Sequence, residues 1–199
     1  MRESGVGRVL VASLHQAIGE VLPTRLVFYE NWLNAEGLRD GTIGLAPLYA
    51  VLSFLRQEGG AYSRVTTRAG EYSAEWTVAS MRPFTRSLIA RLPGFARRRV
   101  ALGRAKALVR MSYAGTRIST RLRGGAARVT LRASVFCSVR EPAEQPLCGY
   151  YAAVYDRMLA LFGITTAVAV ESCRGAGGAV CVLSVPLAAA ASSAEAEAV

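Results

Sequence analysis

Four cysteines, Cys137, Cys148, Cys173 and Cys181, fall in the last third of a 199-residue chain, and Glu171 stands two residues before Cys173. Four in this length are too few for a disulfide scaffold. In a reducing compartment they are thiols, packed as small apolar groups or recruited as metal ligands. The spacing supplies a geometric case for a metal. Cys173 would end one strand and Cys181 would begin the next across a glycine turn, so the two thiols would face each other. Glu171 and Cys173 would share a strand face, because side chains alternate with period two. Cys148 opens a helix whose start, packed on the sheet, would bring a third thiol to the pair. Three thiolates and a carboxylate suit a tetrahedral zinc ion. The expected ligands are Cys148, Glu171, Cys173 and Cys181, with Cys137 as the alternative fourth.

Other residue types offer less. His15 is the only histidine, on a helix among apolar neighbours, and no Ser-His-Asp arrangement is easily built from it. Gly124-Gly125 and Gly175 to Gly178 lack the strand–loop–Lys/Ser–helix context of a phosphate loop and read as hairpin turns. Glu141 and Glu144 flank prolines in a loop and read as solvated. No catalytic residue is assigned, and the chain reads as a binding protein more than an enzyme. The aromatic residues Phe28, Tyr29, Trp32, Tyr49, Phe54, Tyr62, Tyr72 and Trp76 lie in the first 80 positions. They are either core or the lining of an apolar cavity for a flat ring. On the second reading Trp32, Tyr49, Tyr62, Tyr72 and Trp76 are the ligand-binding candidates.

The elements that must position these groups can be read from periodicity. Val9, Leu10, Leu14, Ala17, Ile18 and Val21 recur at helical spacing up to Pro23. Pro47 sits in the first turn of a second helix, carrying Leu48, Tyr49, Leu52 and Leu55 before Gly59-Gly60. Tyr62 to Trp76 fits a third helix, weakened by Gly70. Pro83 and Pro93 punctuate two more, the last from Phe95 to about Met111. The Phe28 to Leu33 stretch is ambiguous, and Gly37, Gly41 and Gly44 read as loop. After Gly115 the pattern changes. Ile118, Thr120 and Leu122 alternate with polar residues, Gly124-Gly125 turns the chain, and Val129, Leu131, Ala133 and Val135 alternate again, which is a hairpin. Cys148 to Phe162 is helical, with Gly163 past its end. Ile164 to Cys173 and Val180 to Val185 are the last two strands. The order helices, hairpin, helix, hairpin predicts an α+β fold, with N-terminal helices packed on one face of an antiparallel sheet. One domain is expected over 1–187, with a disordered tail over 188–199.

Composition bounds the setting. Apolar residues are 52% of the chain, which excludes general disorder. The longest apolar runs fall short of the roughly 20 residues that span a bilayer. Glu3, His15, Gln16 and Glu20 interrupt the N-terminus, so no signal peptide is read and a cytoplasmic protein is expected. The charge is +10, mostly from arginine. Arg97-Arg98-Arg99, Arg104, Lys106 and Arg110 form a basic helical segment that would be a solvated face or a dock for an acidic partner. No nucleic-acid motif accompanies the charge.

The run Cys148-Gly149-Tyr150-Tyr151, an amphipathic helix ending Leu161-Phe162-Gly163, then Val170-Glu171-Ser172-Cys173-Arg174, a glycine turn and Cys181-Val182-Leu183-Ser184-Val185 resembles the 4-vinyl reductase domain family. That family shares its fold with subunits of the TRAPP vesicle-tethering complex. The overlap covers roughly residues 130–186. The resemblance implies a small-molecule sensor or carrier with a hydrophobic pocket between helices and sheet. Its ligand would be an apolar or aromatic molecule, as in hydrocarbon-sensing relatives with structural zinc, or a tetrapyrrole, as in relatives tied to bacteriochlorophyll biosynthesis. The zinc ligands would map onto Cys148, Glu171, Cys173 and Cys181. In the family pattern the acidic ligand precedes its cysteine by three residues, a position held here by Val170. The alternatives are an accessory factor or enzyme of tetrapyrrole biosynthesis, and a protein-interaction scaffold, with a homodimer as the candidate assembly.

Overall fold

The computed structural model describes residues 5–33, 44–139 and 141–187. The tail expected over 188–199, with Gly37 and Gly41 of the expected loop, lies outside the described residues. The architecture is α+β, as the alternation of patterns predicts. Helices α1 (Arg8–Val21), α2 (Leu26–Glu30), α3 (Leu45–Gln57), α4 (Gly60–Ala79), α5 (Pro83–Arg91) and α6 (Gly94–Ser112) precede strands β1 (Arg117–Arg123) and β2 (Ala126–Arg132). Helix α7 (Gly149–Leu161) then leads to β3 (Ala169–Ser172) and β4 (Cys181–Pro186).

Helix α4 is the axis of the helical layer and packs against both α1 and α7. Its inward stripe runs Tyr62, Val65, Ala69 and Ser73, facing Leu10, Leu14, Ala17 and Ile18 of α1 and Tyr150, Val154 and Met158 of α7. Small residues let these helices approach closely. A buried hydroxyl network crosses the layer. Ser73 Oγ donates to Ser13 Oγ at 2.8 Å, and the Tyr150 hydroxyl lies 2.9 Å from Ser73 Oγ and 3.1 Å from Ser112 Oγ. Four helices therefore share one satisfied polar knot, which fixes their relative register more sharply than apolar packing alone.

The sheet is antiparallel throughout, in the order β1-β2-β4-β3. Ala127, Val129 and Leu131 of β2 pair with Val185, Leu183 and Cys181 of β4, and all six are buried on the helix side. The β1–β2 connection is a two-residue turn with positive φ at both Gly124 and Gly125, the geometry that matches strand twist.

Two strands are shorter than their residue types suggest. Of the β-branched run from Ile164, only Ala169–Ser172 pairs with β4. The preceding segment is satisfied locally: Val168 N donates to Asp156 Oδ1 at 3.3 Å and Thr166 Oγ1 donates to Pro186 O at 2.7 Å. Strand β2 stops at Arg132 because Ala133 takes φ 58°, and a 3-10 turn over Val135–Cys137 follows.

Gly70 is no weakness in α4 but its contact point with α7. A Cβ there would lie 2.4 Å from Tyr150 O and 2.8 Å from Ala153 Cβ. We expect Gly70→Ala to destabilise the protein by about 1–3 kcal/mol through overpacking, although Ala is the better helix former by ~1 kcal/mol. Gly103→Ala, on an open face of α6, is expected to stabilise by about 0.5–1 kcal/mol. Thermal or urea unfolding of the two variants checks both signs.

Candidate metal centre

The four cysteines come from four separate places in the chain and meet in one buried volume. Cys137 ends the 3-10 turn after β2, and Cys148 is the residue before the first turn of α7. Cys173 follows β3, and Cys181 opens β4. All are free and buried, between 0% and 4% exposed. The Cys137 sulfur lies 3.4 Å from Cys148 Sγ, 3.5 Å from Cys173 Sγ and 3.4 Å from Cys181 Sγ. Cys148 Sγ lies 3.0 Å from Cys173 Sγ. The four sulfurs all fall within 4.8 Å of one another.

Glu171, expected as the carboxylate ligand, is not among them. The β3–β4 register shifts between Val170 and Ser172, leaving Glu171 without a partner on β4. This bulge breaks the period-two alternation. Glu171 therefore points to the exposed face of the sheet, where Arg128 Nη1 pairs with it at 3.2 Å, while Cys173 turns inward. The fourth sulfur in the cluster is that of Cys137. Val170 is half-buried in the sheet and offers no donor atom.

The surroundings suit thiolate sulfur. Leu147 N–H donates to Cys173 Sγ at 3.3 Å and Arg174 N–H donates to Cys181 Sγ at 3.4 Å. Backbone amides aimed at sulfur favour its charged form. The Cys173 thiol is pulled far below its ordinary value, first by its contact with Cys137, then by Cys148 and Cys181 and by the Leu147 amide. Cys148 is pushed up by the same crowding, Cys137 first. Four thiols so close cannot all ionise unless a cation shares the space. Tetrahedral zinc with bonds of about 2.3 Å would set the sulfurs ~3.8 Å apart, between the 3.0 Å of Cys148 and Cys173 and the 4.8 Å that bounds the whole cluster. The donor set fits zinc.

The support around the cluster is dense. Tyr62 OH donates to Leu147 O at 3.1 Å, tying α4 to the residue before Cys148. Burial, chiefly, pushes the Tyr62 hydroxyl well above its ordinary value, so it remains a donor. Phe136, beside Cys137, stacks on Tyr150 with centroids 4.9 Å apart and meets Tyr151 edge-on at 5.4 Å. Gly175 is packed against this turn. A Cβ on it would lie 2.7 Å from Leu147 Cδ1 and 3.4 Å from Cys137 Cα. The turn residues Leu147, Phe136 and Gly175 carry no donor side chain, so nothing in their types marks them from sequence.

The aromatic candidates do not converge on one cavity. Trp32 is 40% exposed and leans on Phe54, itself edge-on to Phe28. Tyr49 is half-buried on α3, and Tyr62 serves the cysteine cluster. Tyr72 and Trp76 stack on each other near the surface. There the Tyr72 hydroxyl donates to Glu20, which also receives Arg68, and together these hold the Glu20 carboxyl below its ordinary value.

A second polar feature lies on α7, where the residue types read only as core. Tyr151 and Tyr155 of α7 are fully buried against the sheet, Tyr151 beside Ser134 and Thr116, Tyr155 beside Thr120. None of the five hydroxyls has a partner in hydrogen-bonding alignment. Among the described residues no helix is long and apolar enough to cross a membrane.

No protein-family profile and no curated protein matches the chain. Among solved structures it is similar to the phenol-responsive sensory domain of the transcription activator PoxR, crystallised with phenol. The TM-score is 0.45 and the identity 20%, over 71% of this chain and 74% of that one.

Exchanging single donors separates the two candidate ligand sets. Cys137→Ser is expected to lower bound zinc below one per chain and to reduce the thermal midpoint. At free zinc about 1,000 times Kd, lost metal linkage amounts to ~4 kcal/mol. Glu171→Gln is expected to keep full zinc and to change stability by no more than about 1 kcal/mol, since it loses only an exposed ion pair. Elemental analysis with differential scanning calorimetry reads both. Protons compete with metal for thiolate, so zinc should be retained at neutral pH and released as pH falls. A zinc-release titration with a colorimetric chelator gives the direction.

Proposed function

We propose that this chain is a small-molecule-binding domain, a sensor or carrier, for a small aromatic ligand bearing a hydrogen-bonding group, with its C-terminal half held by structural zinc. The observation that carries the ligand reading is the seam between α7 and the sheet. Buried hydroxyls are normally paired, and each one left over calls for a water or a bound group. Here Tyr151 lies beside Ser134 and Thr116, and Tyr155 one turn along α7 lies beside Thr120, with none of these hydroxyls in hydrogen-bonding alignment. That seam is where the resemblance to 4-vinyl reductase domains implies a pocket. A ring would have Phe136 and the inner sheet residues for apolar contact, and its polar group would have the hydroxyls. Tyr151 and Tyr155 are both 0% exposed. A site opened beside side chains so deeply buried would favour a single-ring ligand over a tetrapyrrole, the other class that the resemblance implies.

Zinc would be held by Cys137, Cys148, Cys173 and Cys181. With all four positions filled by protein it would supply folding energy and not a reactive centre. Its contribution to binding is indirect. It joins Cys137, at the edge of the seam, to the start of α7, which carries Tyr151 on its inner face. The hydroxyls are thereby held where they are before ligand arrives, which lowers the ordering cost of binding.

Protein purified without metal-affinity resin should contain one zinc per chain by elemental analysis. Native mass spectrometry and calorimetry should detect one phenolic ligand per chain from a panel of simple phenols. Tyr151→Phe should retain zinc and lose at least fivefold in phenol affinity. If the hydroxyl has no ligand to meet, Tyr151→Phe instead removes an unsatisfied group and is neutral or stabilising. That result, with no phenol bound by the unsubstituted chain, rules the reading out.

A further inference from the structure

We propose that a second, surface site, the cleft between the start of α6 and the β1–β2 turn, binds an amphipathic anion: a carboxylate head on an apolar tail. The cleft has a volume of about 310 Å3, at the lower end of small-molecule sites. Its floor and walls are apolar, from Phe95 and Leu102 of α6, Leu122 of β1 and Leu187 after β4. Leu102 and Leu187 are each 5% exposed, whereas Phe95 is 72% exposed and Leu122 50%. Two large apolar side chains thus stand open beside a buried base, the arrangement that covering by an apolar group would complete.

Three guanidinium groups border the same cleft: Arg98 and Arg99 from α6 and Arg123 from the end of β1. Among the described residues no carboxylate pairs with any of them. The acidic partners go instead to Arg25, Arg68, Arg128, Arg157 and His15. Cations gathered without counter-charge repel one another, and an anion placed between them relieves this. A guanidinium receives a carboxylate through two parallel N–H donors, which orients the head group as well as attracting it. The wall opposite α6 is fixed, since Leu187 N–H donates to Gly125 O at 2.8 Å and pins the end of β4 to the turn. Charge on the rim and apolar surface in the base together select a molecule with both. A phosphate alone would leave Phe95 and Leu122 uncovered, and a neutral chain would leave the arginines unpaired.

This site shares no residue with the hydroxyl seam or the cysteine cluster, so it stands or falls separately from the proposed function. Calorimetric titration of the full chain with octanoate, 1-octanol and inorganic phosphate tests it. Octanoate should bind once per chain, with 1-octanol and phosphate at least tenfold weaker. Arg99→Glu combined with Arg123→Glu should weaken octanoate at least tenfold, and so should Leu122→Asp. All three positions are exposed, so thermal midpoint and zinc content should stay at the unsubstituted values and show that the variants fold. Equal binding of 1-octanol, equal binding of phosphate, or octanoate affinity that survives the arginine exchange would each overturn the proposal. Absence of octanoate binding would overturn it too, and salt-sensitive binding of duplex DNA that the same arginine exchange removes would then assign the charge to a nucleic-acid surface.

Discussion

Four sulfur atoms from segments up to 44 residues apart share one buried space, and most of the C-terminal half is arranged so that they can. The turn after β2, the residue before α7, the end of β3 and the start of β4 would otherwise be tied only by short strands and a loop. Strand β3 has four residues and β4 has six, too little ladder to hold a helix start in place. Apolar burial of thiols is weak and non-directional. A tetrahedral cation is neither, and one ion would cross-link all four segments at once. The amides of Leu147 and Arg174 already point at sulfur. The site is therefore shaped for negative charge and not only for packing.

The N-terminal half connects to this centre through a short chain of contacts. Tyr62 of α4 holds the Leu147 carbonyl, and the Leu147 amide in turn donates to Cys173. Tyr150 of α7 anchors on Ser73 and Ser112 and presents its ring to Phe136, next to Cys137. Helix α4 approaches α7 closely only because Gly70 leaves room for the Tyr150 carbonyl. The helical layer and the cysteine cluster thus constrain each other through α7. Tyr151 and Tyr155, whose hydroxyls lie beside Ser134, Thr116 and Thr120 without hydrogen-bonding alignment, are on the same helix.

The layout of the fold was legible because its periods are clean. The stripe Leu10, Leu14, Ala17 and Ile18, the Pro-led starts at Pro83 and Pro93, and the alternation on both sides of Gly124-Gly125 each have one structural solution. The convergence of Cys148, Cys173 and Cys181 was also legible, since a helix start above a hairpin is a fixed geometry. What was not legible was the bulge. Alternation puts Glu171 on the face of Cys173, whereas a single unpaired residue turns it to Arg128, and the fourth sulfur beside the other three is that of Cys137. Composition gives no signal for a bulge, because it depends on the partner strand. The same limit applies to Tyr62. Its aromatic ring reads as lining for a ligand, and only tertiary contacts assign its hydroxyl to Leu147. Tyr151 and Tyr155 read as core stripe, and nothing in their spacing reveals that their hydroxyls meet Ser134, Thr116 and Thr120 out of hydrogen-bonding alignment.

Zinc K-edge X-ray absorption on the purified chain tests the convergence of sulfurs most directly. Four convergent cysteines would give a shell of four sulfur scatterers at about 2.3 Å with no nitrogen or oxygen. A mixed shell with an oxygen donor, or a chain that takes up no zinc while all four thiols are reduced, would contradict it.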